Sequence, residues 1–236
     1  MPPARPSEPR LRRDLVEVCR RLHDRHLLGA GEGNVSCRLG KDRLLVTPSG
    51  AAKGFLRPGD LVVVDLEGRV IRGRGRPSTE LAMHLAAYAA RPDVEAVVHA
   101  HPLTAIAFTV AGLPPPDDLL PEAVLVLGPI GSAPFATPGT AEVPRSLAPL
   151  WKNHQVVLLE RHGALALGRD LFQALDRMET LERVCEVAAK ARSLGRCEPL
   201  PDVAVQKVLE AGRALAAAAV SARATPRAAS RRARRG

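Results

Sequence analysis

Two histidines separated by one residue end a short apolar segment, in the sequence HAHP at residues 99–102. The apolar segment 94–100 predicts a β-strand, and side chains on a strand alternate between its two faces. His99 and His101 are therefore expected on one face, where two imidazoles can converge on a metal ion. Pro102 ends the strand and places the pair at an edge of the sheet. Taken alone, this spacing also fits two unrelated surface or core histidines.

A third histidine, His162, follows the apolar strand predicted at 156–160 and precedes Gly163. The glycine permits a tight turn and the close approach of a ligand. Three histidines leave an open coordination position, which a catalytic metal site needs and a structural site avoids. Three unrelated histidines remain the alternative interpretation. The remaining histidines are predicted to be surface or packing residues: His23, His26, His84 and His154.

Glu80 opens the helix that the segment PSTE (77–80) predicts. A carboxylate in this position often serves only as a favourable partner for the helix dipole. Near a metal, it can instead bind the ion while the site is empty and act as a base when substrate displaces it. Glu80 is therefore the candidate catalytic residue.

Three turn segments offer groups that bind phosphate, namely GEGNVS (31–36), TPSG (47–50) and PSTE (77–80). Each supplies backbone N–H groups beside glycine, hydroxyl groups or a helix N-terminus. Each is also a common turn sequence. Together with the three histidines, these segments suggest one site for a phosphorylated ligand.

Helical and strand patterns alternate along most of the chain. Helices are predicted at 11–28, 78–90, 171–193 and 203–219, with another able to begin at Pro102, and strands at 44–47, 61–65, 94–100, 123–127, 156–160 and 164–167. Helices mixed with strands joined by short turns predict an α/β layered fold whose sheet is at least partly antiparallel. We expect a disordered arm at 1–10, one catalytic domain at 11–220 and a disordered arginine-rich tail at 221–236.

Composition limits the possible function classes. Apolar residues make up 46% of the 236 residues, enough for one sizeable core, and aromatic residues only 3%. So few rings argue against a stacking surface for single-stranded nucleic acid. There is no apolar segment of about 18 residues that would span a membrane, and the N-terminus lacks an apolar signal segment. We therefore expect a cytoplasmic protein whose four cysteines are free thiols.

The formal net charge of +9 belongs to the two ends of the chain. Seven arginines and no acidic residue follow Glu210, and residues 1–13 carry four arginines against Glu8. The stretch 14–210 is therefore close to neutral, which makes a nucleic-acid surface on the domain unlikely on charge grounds. The tail itself is either a solvated, solubilising segment or a weak binder of polyanions.

Six motifs follow one another in a distinctive order: GEGNVS, LLVTPSG, RPSTE, RPDVEAVVHAHP (91–102), PFATPGT (134–140) and LLERHGALALG (158–168). In order and spacing they resemble the class II aldolase/adducin family, from about Leu11 to Ala189. The resemblance implies a three-layer αβα sandwich around a mostly antiparallel sheet. It also implies a divalent metal, usually zinc, and a homotetramer with active sites between subunits.

Carried over residue by residue, the resemblance assigns His99, His101 and His162 to the metal. It assigns to Glu80 both metal binding and the transfer of a proton. The residues that match the family's contacts to a substrate phosphate are Gly33, Asn34, Ser49, Gly50, Ser78 and Thr79.

The sequence departs from the aldolases of the family in three places. Those enzymes have a tyrosine acid in the loop that corresponds to LLPEAVLVLG (119–128), whereas Tyr88 is the one tyrosine of this chain. An aromatic residue expected in the ATxGT stretch is Pro138 here. The C-terminal segment also lacks aromatic residues. Glu122 is the candidate replacement for the missing acid.

The resemblance therefore implies an aldolase that reversibly cleaves a ketose phosphate to dihydroxyacetone phosphate and an aldehyde. The alternatives are another sugar-phosphate enzyme, namely a 4-epimerase, a dehydratase or a decarboxylase, and a non-catalytic scaffold like the adducin head. An epimerase of this family is also expected to use a tyrosine. The adducin head lacks the metal ligands that this chain retains.

Overall fold

An eight-stranded sheet lies at the centre of the computed structural model, which describes residues 6–29 and 31–224. The strands are β1 (Asn34–Arg38), β2 (Arg43–Val46), β3 (Val62–Asp65), β4 (Val70–Arg72), β5 (Ala96–Ala100), β6 (Ile130–Ala133), β7 (Val156–Leu159) and β8 (Gly163–Gly168). Their order across the sheet is β4-β3-β2-β1-β5-β8-β7-β6. Every neighbouring pair is antiparallel except β6 and β7, which run parallel. The predicted mostly antiparallel sheet is confirmed.

Helices cover both faces of this sheet. They are α1 (Glu8–Asp24), α2 (Leu81–Ala90), α3 (Leu103–Val110), α4 (Glu142–Leu147), α5 (Leu171–Leu194) and α6 (Asp202–Ala224). Two short 3₁₀ turns, Lys53–Phe55 and Pro58–Asp60, connect β2 to β3.

Side chains of the central strand β5 alternate between two separate apolar cores. Val98 packs in the core that α1, α3 and α5 close, and Val97 packs in the core that α2 and α4 close. Because a strand alternates its side chains, His99 lies on the same face as Val97 and α2. The predicted three-layer αβα arrangement is thus confirmed, and it places the N-terminus of α2 beside the end of β5.

The segment 123–127 is a single π-helical turn, so the strand predicted there was wrong. Its sequence AVLVL is rich in the apolar and β-branched residues that favour strands. Gly128 ends the turn with φ = 63° and donates its N–H to Ala123 O at 3.0 Å. The strand of this region, β6, begins only at Ile130, which pairs with Val156 of β7.

The first helix begins before, and the last helix ends after, the limits predicted for them, 11 and 219. Helix α1 begins at Glu8 rather than Leu11, because Pro9 fits the first helical turn and Glu8 accepts from Arg12 at 2.8 Å. At the other end, α6 continues through 221–224, which the sequence analysis had assigned to the tail. The alanine-rich sequence that precedes these residues has high helix propensity. Residues 1–5 and 225–236 of the predicted arm and tail lie outside the described residues.

The described helices include none that is both long and apolar enough to cross a membrane. The four cysteines are free, as expected, and three of them are buried: Cys19, Cys37 and Cys185. Burial raises the pKa of the Cys19 and Cys185 thiols to about 12, so both remain protonated at neutral pH.

Candidate active site

His99 is fully buried near the end of β5, between β1 and β8. Its Nδ1 lies 3.0 Å from Ala164 O of β8. A carbonyl oxygen can only accept, so Nδ1 carries a proton, and in the neutral ring Nε2 therefore keeps its lone pair. The backbone of β8 therefore turns the unprotonated nitrogen of His99 toward the other two histidines.

The three predicted metal histidines meet at the end of the sheet. Their ring centroids lie 4.9–5.1 Å apart, and one nitrogen from each falls within 4.8 Å of the others. His101 Nε2 approaches His99 Nε2 to 3.2 Å. Burial, followed by the charges of His99 and His162, lowers the pKa of His101 to about 4. His101 is therefore neutral at physiological pH, the form that binds a metal.

Glu80 caps the N-terminus of α2 and points into the same cluster. Its Oε2 lies 3.3 Å from His99 Nε2, and its Oε1 lies 3.2 Å from His162 Nε2. Burial alone would raise the pKa of Glu80, but the adjacent His162 and His99 rings outweigh burial and hold the pKa well below its usual value. The carboxylate is ionised, as a metal ligand or a base must be.

These four side chains suit a divalent cation. Three imidazole nitrogens and one carboxylate oxygen form a donor set of the kind that binds zinc. Glu80 Oε1 is buried and, despite its distance of 3.2 Å from His162 Nε2, has no well-aligned hydrogen-bond donor among the described residues. A buried carboxylate oxygen without a donor is costly, and a cation beside it would remove that cost.

A chain of hydrogen bonds behind Glu80 has one consistent direction. Asn34, opposite His99 in the β1–β5 pair, donates from Nδ2 to Glu80 Oε2 at 2.9 Å. Asn34 Oδ1 is in short contact with His84 Nε2 and must therefore accept the hydrogen bond from it. His84 Nδ1 accepts from Ser36 Oγ at 2.7 Å, and Ser36 Oγ accepts from Tyr88 OH at 2.9 Å.

This chain fixes which end of the Asn34 amide faces Glu80. Burial, with the charge of His99 as a further cause, lowers the pKa of His84 to about 3, so His84 stays neutral and its Nε2–H is available to Asn34. His84 was predicted to be a surface or packing residue. It is buried, and both of its ring nitrogens make hydrogen bonds, to Ser36 and to Asn34. Its position four residues after Glu80, on the same face of α2, was the available signal.

One cavity of about 220 Å³ adjoins the histidines. All six residues predicted to contact phosphate line it, together with His101, His162 and Glu80: Gly33, Asn34, Ser49, Gly50, Ser78 and Thr79. Lys53 also lines the cavity and was missed from the sequence. Gly31 and Glu32 come from the predicted GEGNVS turn, and Pro138 and Gly139 from the PFATPGT motif. The cavity therefore joins three of the four candidate metal ligands, His101, His162 and Glu80, to the three turn segments.

Neither Tyr88, the one tyrosine of the chain, nor Glu122, the candidate replacement for the missing acid, lies at the cavity. Tyr88 is 3% exposed and bonds to Ser36 inside the α2 side of the sheet. Glu122 is exposed at the start of the π-helical turn. In the described part of this protomer, neither of them lines the cavity.

Gly163 lets the β7–β8 turn approach β5. A Cβ at this position would lie 2.6 Å from Ala100 O, 2.9 Å from His101 Cδ2 and 3.1 Å from His99 Cε1. This glycine was expected to allow the close approach of a ligand, but the space beside it is filled by the backbone and histidine rings of the β5 end. The turn itself has Arg161 at φ = 57°, a conformation that non-glycine residues rarely adopt.

Gly163→Ala is expected to lower the free energy of unfolding by about 1–3 kcal/mol, because the new methyl group would clash with the backbone oxygen of Ala100. It should also weaken metal binding by displacing His101. Chemical denaturation and metal titration measure the two effects. Gly59→Ala is the matched control, since a Cβ at Gly59 meets nothing within 4 Å. Equal stability of the two variants would contradict the close contact.

Comparison with known proteins places this site in a family. The model of the class II aldolase and adducin N-terminal domain matches residues 13–189. L-fuculose phosphate aldolase of Methanococcus vannielii is 37% identical over 180 residues, which cover 74% of this chain and 93% of that protein. The 5-methylthioribulose-1-phosphate/5-deoxyribulose-1-phosphate aldolase of Rhodospirillum rubrum is 35% identical, covering 85% of this chain and 90% of its own. The 3-oxo-tetronate 4-phosphate decarboxylase of Haemophilus influenzae is 32% identical, covering 73% and 84% respectively.

Solved structures agree with these sequence matches. YgbL of Klebsiella pneumoniae superposes with a TM-score of 0.81 and 29% identity, covering 86% of this chain and all of that one. An L-fuculose 1-phosphate aldolase superposes with a TM-score of 0.79 and 29% identity, covering 86% and 96%. The chain therefore belongs to the class II aldolase and adducin N-terminal domain family.

Proposed function

We propose that this protein is a metal-dependent aldolase that reversibly cleaves a ketose phosphate like L-fuculose 1-phosphate to dihydroxyacetone phosphate and an aldehyde. One observation carries the proposal: three histidine side chains and an ionised carboxylate converge beside a cavity lined by phosphate-binding groups. Relatives named as aldolases of sugar phosphates add support.

His99, His101, His162 and Glu80 would hold the metal. A bound divalent cation, for which we propose zinc, would supply Lewis-acid stabilisation of the negative charge that develops on substrate oxygens. The backbone of β8 keeps His99 Nε2 unprotonated for this purpose through the contact between Nδ1 and Ala164 O.

Glu80 would move the carbon-bound proton of the dihydroxyacetone phosphate unit. Asn34 holds Oε2 by a hydrogen bond, so Oε1, which has no aligned donor, is the oxygen free to take the proton. The hydrogen-bond chain through His84, Ser36 and Tyr88 keeps the Asn34 amide in this orientation. Glu80 thus has one oxygen fixed and one available.

The turn segments would fix the substrate phosphate. Gly33, Gly50 and Thr79 lie on three separate connections, which is consistent with a clamp that holds the ligand at several points. Their groups are backbone N–H groups, hydroxyls and the approach to the N-terminus of α2, all of which favour phosphate oxygens.

Purified protein tested against a panel of ketose 1-phosphates is expected to release dihydroxyacetone phosphate from at least one of them. A coupled assay that reduces dihydroxyacetone phosphate with NADH measures this. Failure across L-fuculose 1-phosphate and related pentulose and methylthiopentulose phosphates would refute the aldolase proposal.

Metal removal is expected to abolish the cleavage. Incubation with EDTA followed by dialysis should reduce turnover by at least about 10³-fold, because the Lewis-acid contribution amounts to several kcal/mol. Restoring one equivalent of Zn²⁺ should recover activity, and Mg²⁺, which prefers oxygen ligands, should not. Unchanged turnover after verified metal removal would contradict the mechanism.

A decarboxylase, dehydratase or epimerase of sugar phosphates is the second candidate. The lack of a tyrosine among the described cavity residues favours the decarboxylase or the dehydratase, and the decarboxylase relative adds support. This lack does not favour the epimerase, which is also expected to use a tyrosine. Release of CO₂ from a 3-oxo-tetronate 4-phosphate without cleavage of ketose 1-phosphates would select the decarboxylase. A scaffold role requires a protein without affinity for zinc, which metal analysis of the purified protein tests.

Two further properties stay predictions. A homotetramer with active sites between subunits follows from the family resemblance, and light scattering of the purified chain tests it. We also propose a cytoplasmic location, which cell fractionation tests.

A further inference from the structure

Lys53 is a buried cation on the rim of the active-site cavity. It begins the 3₁₀ turn Lys53–Phe55, and only 3% of its surface is exposed. The other four lysines of the chain, at 41, 152, 190 and 207, are all exposed. Lys53 lines the cavity together with Ser49, Gly50, Ser78 and Thr79.

The ammonium group of Lys53 has an incomplete set of partners. Its Nζ donates to Gly31 O at 2.8 Å. Among the residues that the structure describes, no carboxylate forms an ion pair with it. Burial lowers the pKa of Lys53, although the charge of Glu80, which lines the same cavity, opposes this effect. The neighbouring Cys19 stays a neutral thiol. A buried charge with no carboxylate in contact is costly, so the site gains if an anion enters the cavity beside Lys53.

The position of Lys53 is rigid. A Cβ on the next residue, Gly54, would lie 2.4 Å from His23 Cγ, so the turn is pressed against α1. The following residue, Phe55, stacks edge-on against the His23 ring at 5.2 Å between centroids. A charge held in place before the ligand arrives binds at a smaller entropic cost than a mobile surface lysine.

We infer that Lys53 is the cationic contact of the substrate phosphate and makes the cavity selective for phosphorylated over unphosphorylated sugars. The inference deepens the proposed function and rests on it for the nature of the substrate. The six other candidate phosphate contacts are uncharged: Gly33, Asn34, Ser49, Gly50, Ser78 and Thr79. Lys53 is thus the cavity-lining side chain that can supply a fixed positive charge to a phosphate dianion.

The test compares Lys53→Met, which removes the charge, with Lys53→Arg, which retains it, in the metal-loaded full chain. Calorimetric titration with inorganic phosphate is expected to give a Kd about 10- to 100-fold higher for Lys53→Met, the range of a charge-assisted hydrogen bond. Lys53→Arg should stay closer to the wild type. An unchanged Kd in Lys53→Met overturns the inference, and so does an equal loss in both variants. Repeating the titration after chelation identifies phosphate bound by the metal alone.

A second measurement needs no variant, in case Lys53→Met does not fold. Reductive methylation of the wild-type chain, followed by peptide mass spectrometry, reports the reactivity of each lysine. Inorganic phosphate is expected to slow the labelling of Lys53 and leave the four exposed lysines unchanged. Equal labelling of Lys53 with and without saturating phosphate overturns the inference.

The outcomes separate this inference from the proposed aldolase activity. Phosphate binding that depends on Lys53, in a protein that cleaves no ketose phosphate, would refute the activity and leave the inference standing. Cleavage of a ketose phosphate with the same KM in Lys53→Met and the wild type would support the aldolase activity and refute the inference about Lys53. A purely structural role for Lys53 would lower the melting temperature without a selective loss of phosphate affinity.

Discussion

His101→Ala is expected to reduce metal affinity by at least about 10²-fold and turnover by about 10³-fold. Loss of even an outer-shell partner of a metal ligand typically costs 10- to 100-fold, and loss of a direct ligand costs more. The side chain of His101 is 19% exposed, against 0% for His99. Because less apolar packing depends on His101, this variant should fold and separate loss of the metal from loss of the structure.

Metal content after dialysis, a competition titration with a zinc chelator and the cleavage assay together test the expectation. His154→Gln is the matched control, since His154 bonds to Pro129 O away from the cavity. The control should keep wild-type metal content. Stoichiometric metal with unchanged affinity in His101→Ala would show that the three-histidine site is wrong.

The convergence of the three histidines could be predicted from local sequence only in part. The pair His99 and His101 followed from alternation on one strand, a local property that two residues suffice to show. His162 was 61 residues away, and its meeting with the pair depends on β8 lying next to β5. That order of strands was available only from the family resemblance.

Other residues were missed because their partners are remote in the chain. His84 lies in an alanine-rich helix, and its contact, Asn34, lies 50 residues earlier on a neighbouring strand. Lys53 is a single lysine in a turn, and the same sequence would be ordinary on an exposed surface. Burial, which distinguishes Lys53 from the other lysines, is a property of the packed fold and leaves no local pattern.

At 123–127 the local sequence predicted a strand, whereas the structure has a π-helical turn. Its five apolar residues have strand composition, but composition cannot show which neighbours a segment will find. Here Ala123 and Leu127 are buried in the core that α5 closes, while Leu125 is 48% exposed. A helical turn places residues four apart on one side, so tertiary packing outweighs the local preference.

Glu80→Gln is expected to lower kcat by about 10²- to 10⁴-fold, the range of a general acid–base group. Gln can keep its side-chain carbonyl toward Asn34 Nδ2, so its amide nitrogen would face His162, where Glu80 offers Oε1. The variant then has no group able to accept the carbon-bound proton. Because glutamine matches glutamate in size, the fold and the three imidazoles should remain in place.

The exchange of the carbon-bound proton of dihydroxyacetone phosphate with deuterated water isolates this step from carbon–carbon cleavage. Measured at a zinc concentration high enough for the three histidines to hold one equivalent of metal, Glu80→Gln should lose exchange and cleavage together. Glu32→Gln is the matched control, since Glu32 lies 3.4 Å from His101 Nδ1 but is largely exposed. If exchange persists at the wild-type rate in Glu80→Gln and disappears in Glu32→Gln, then Glu32 carries the proton. Because Glu80 has one oxygen fixed by Asn34 and the other without an aligned donor, the geometry favours Glu80.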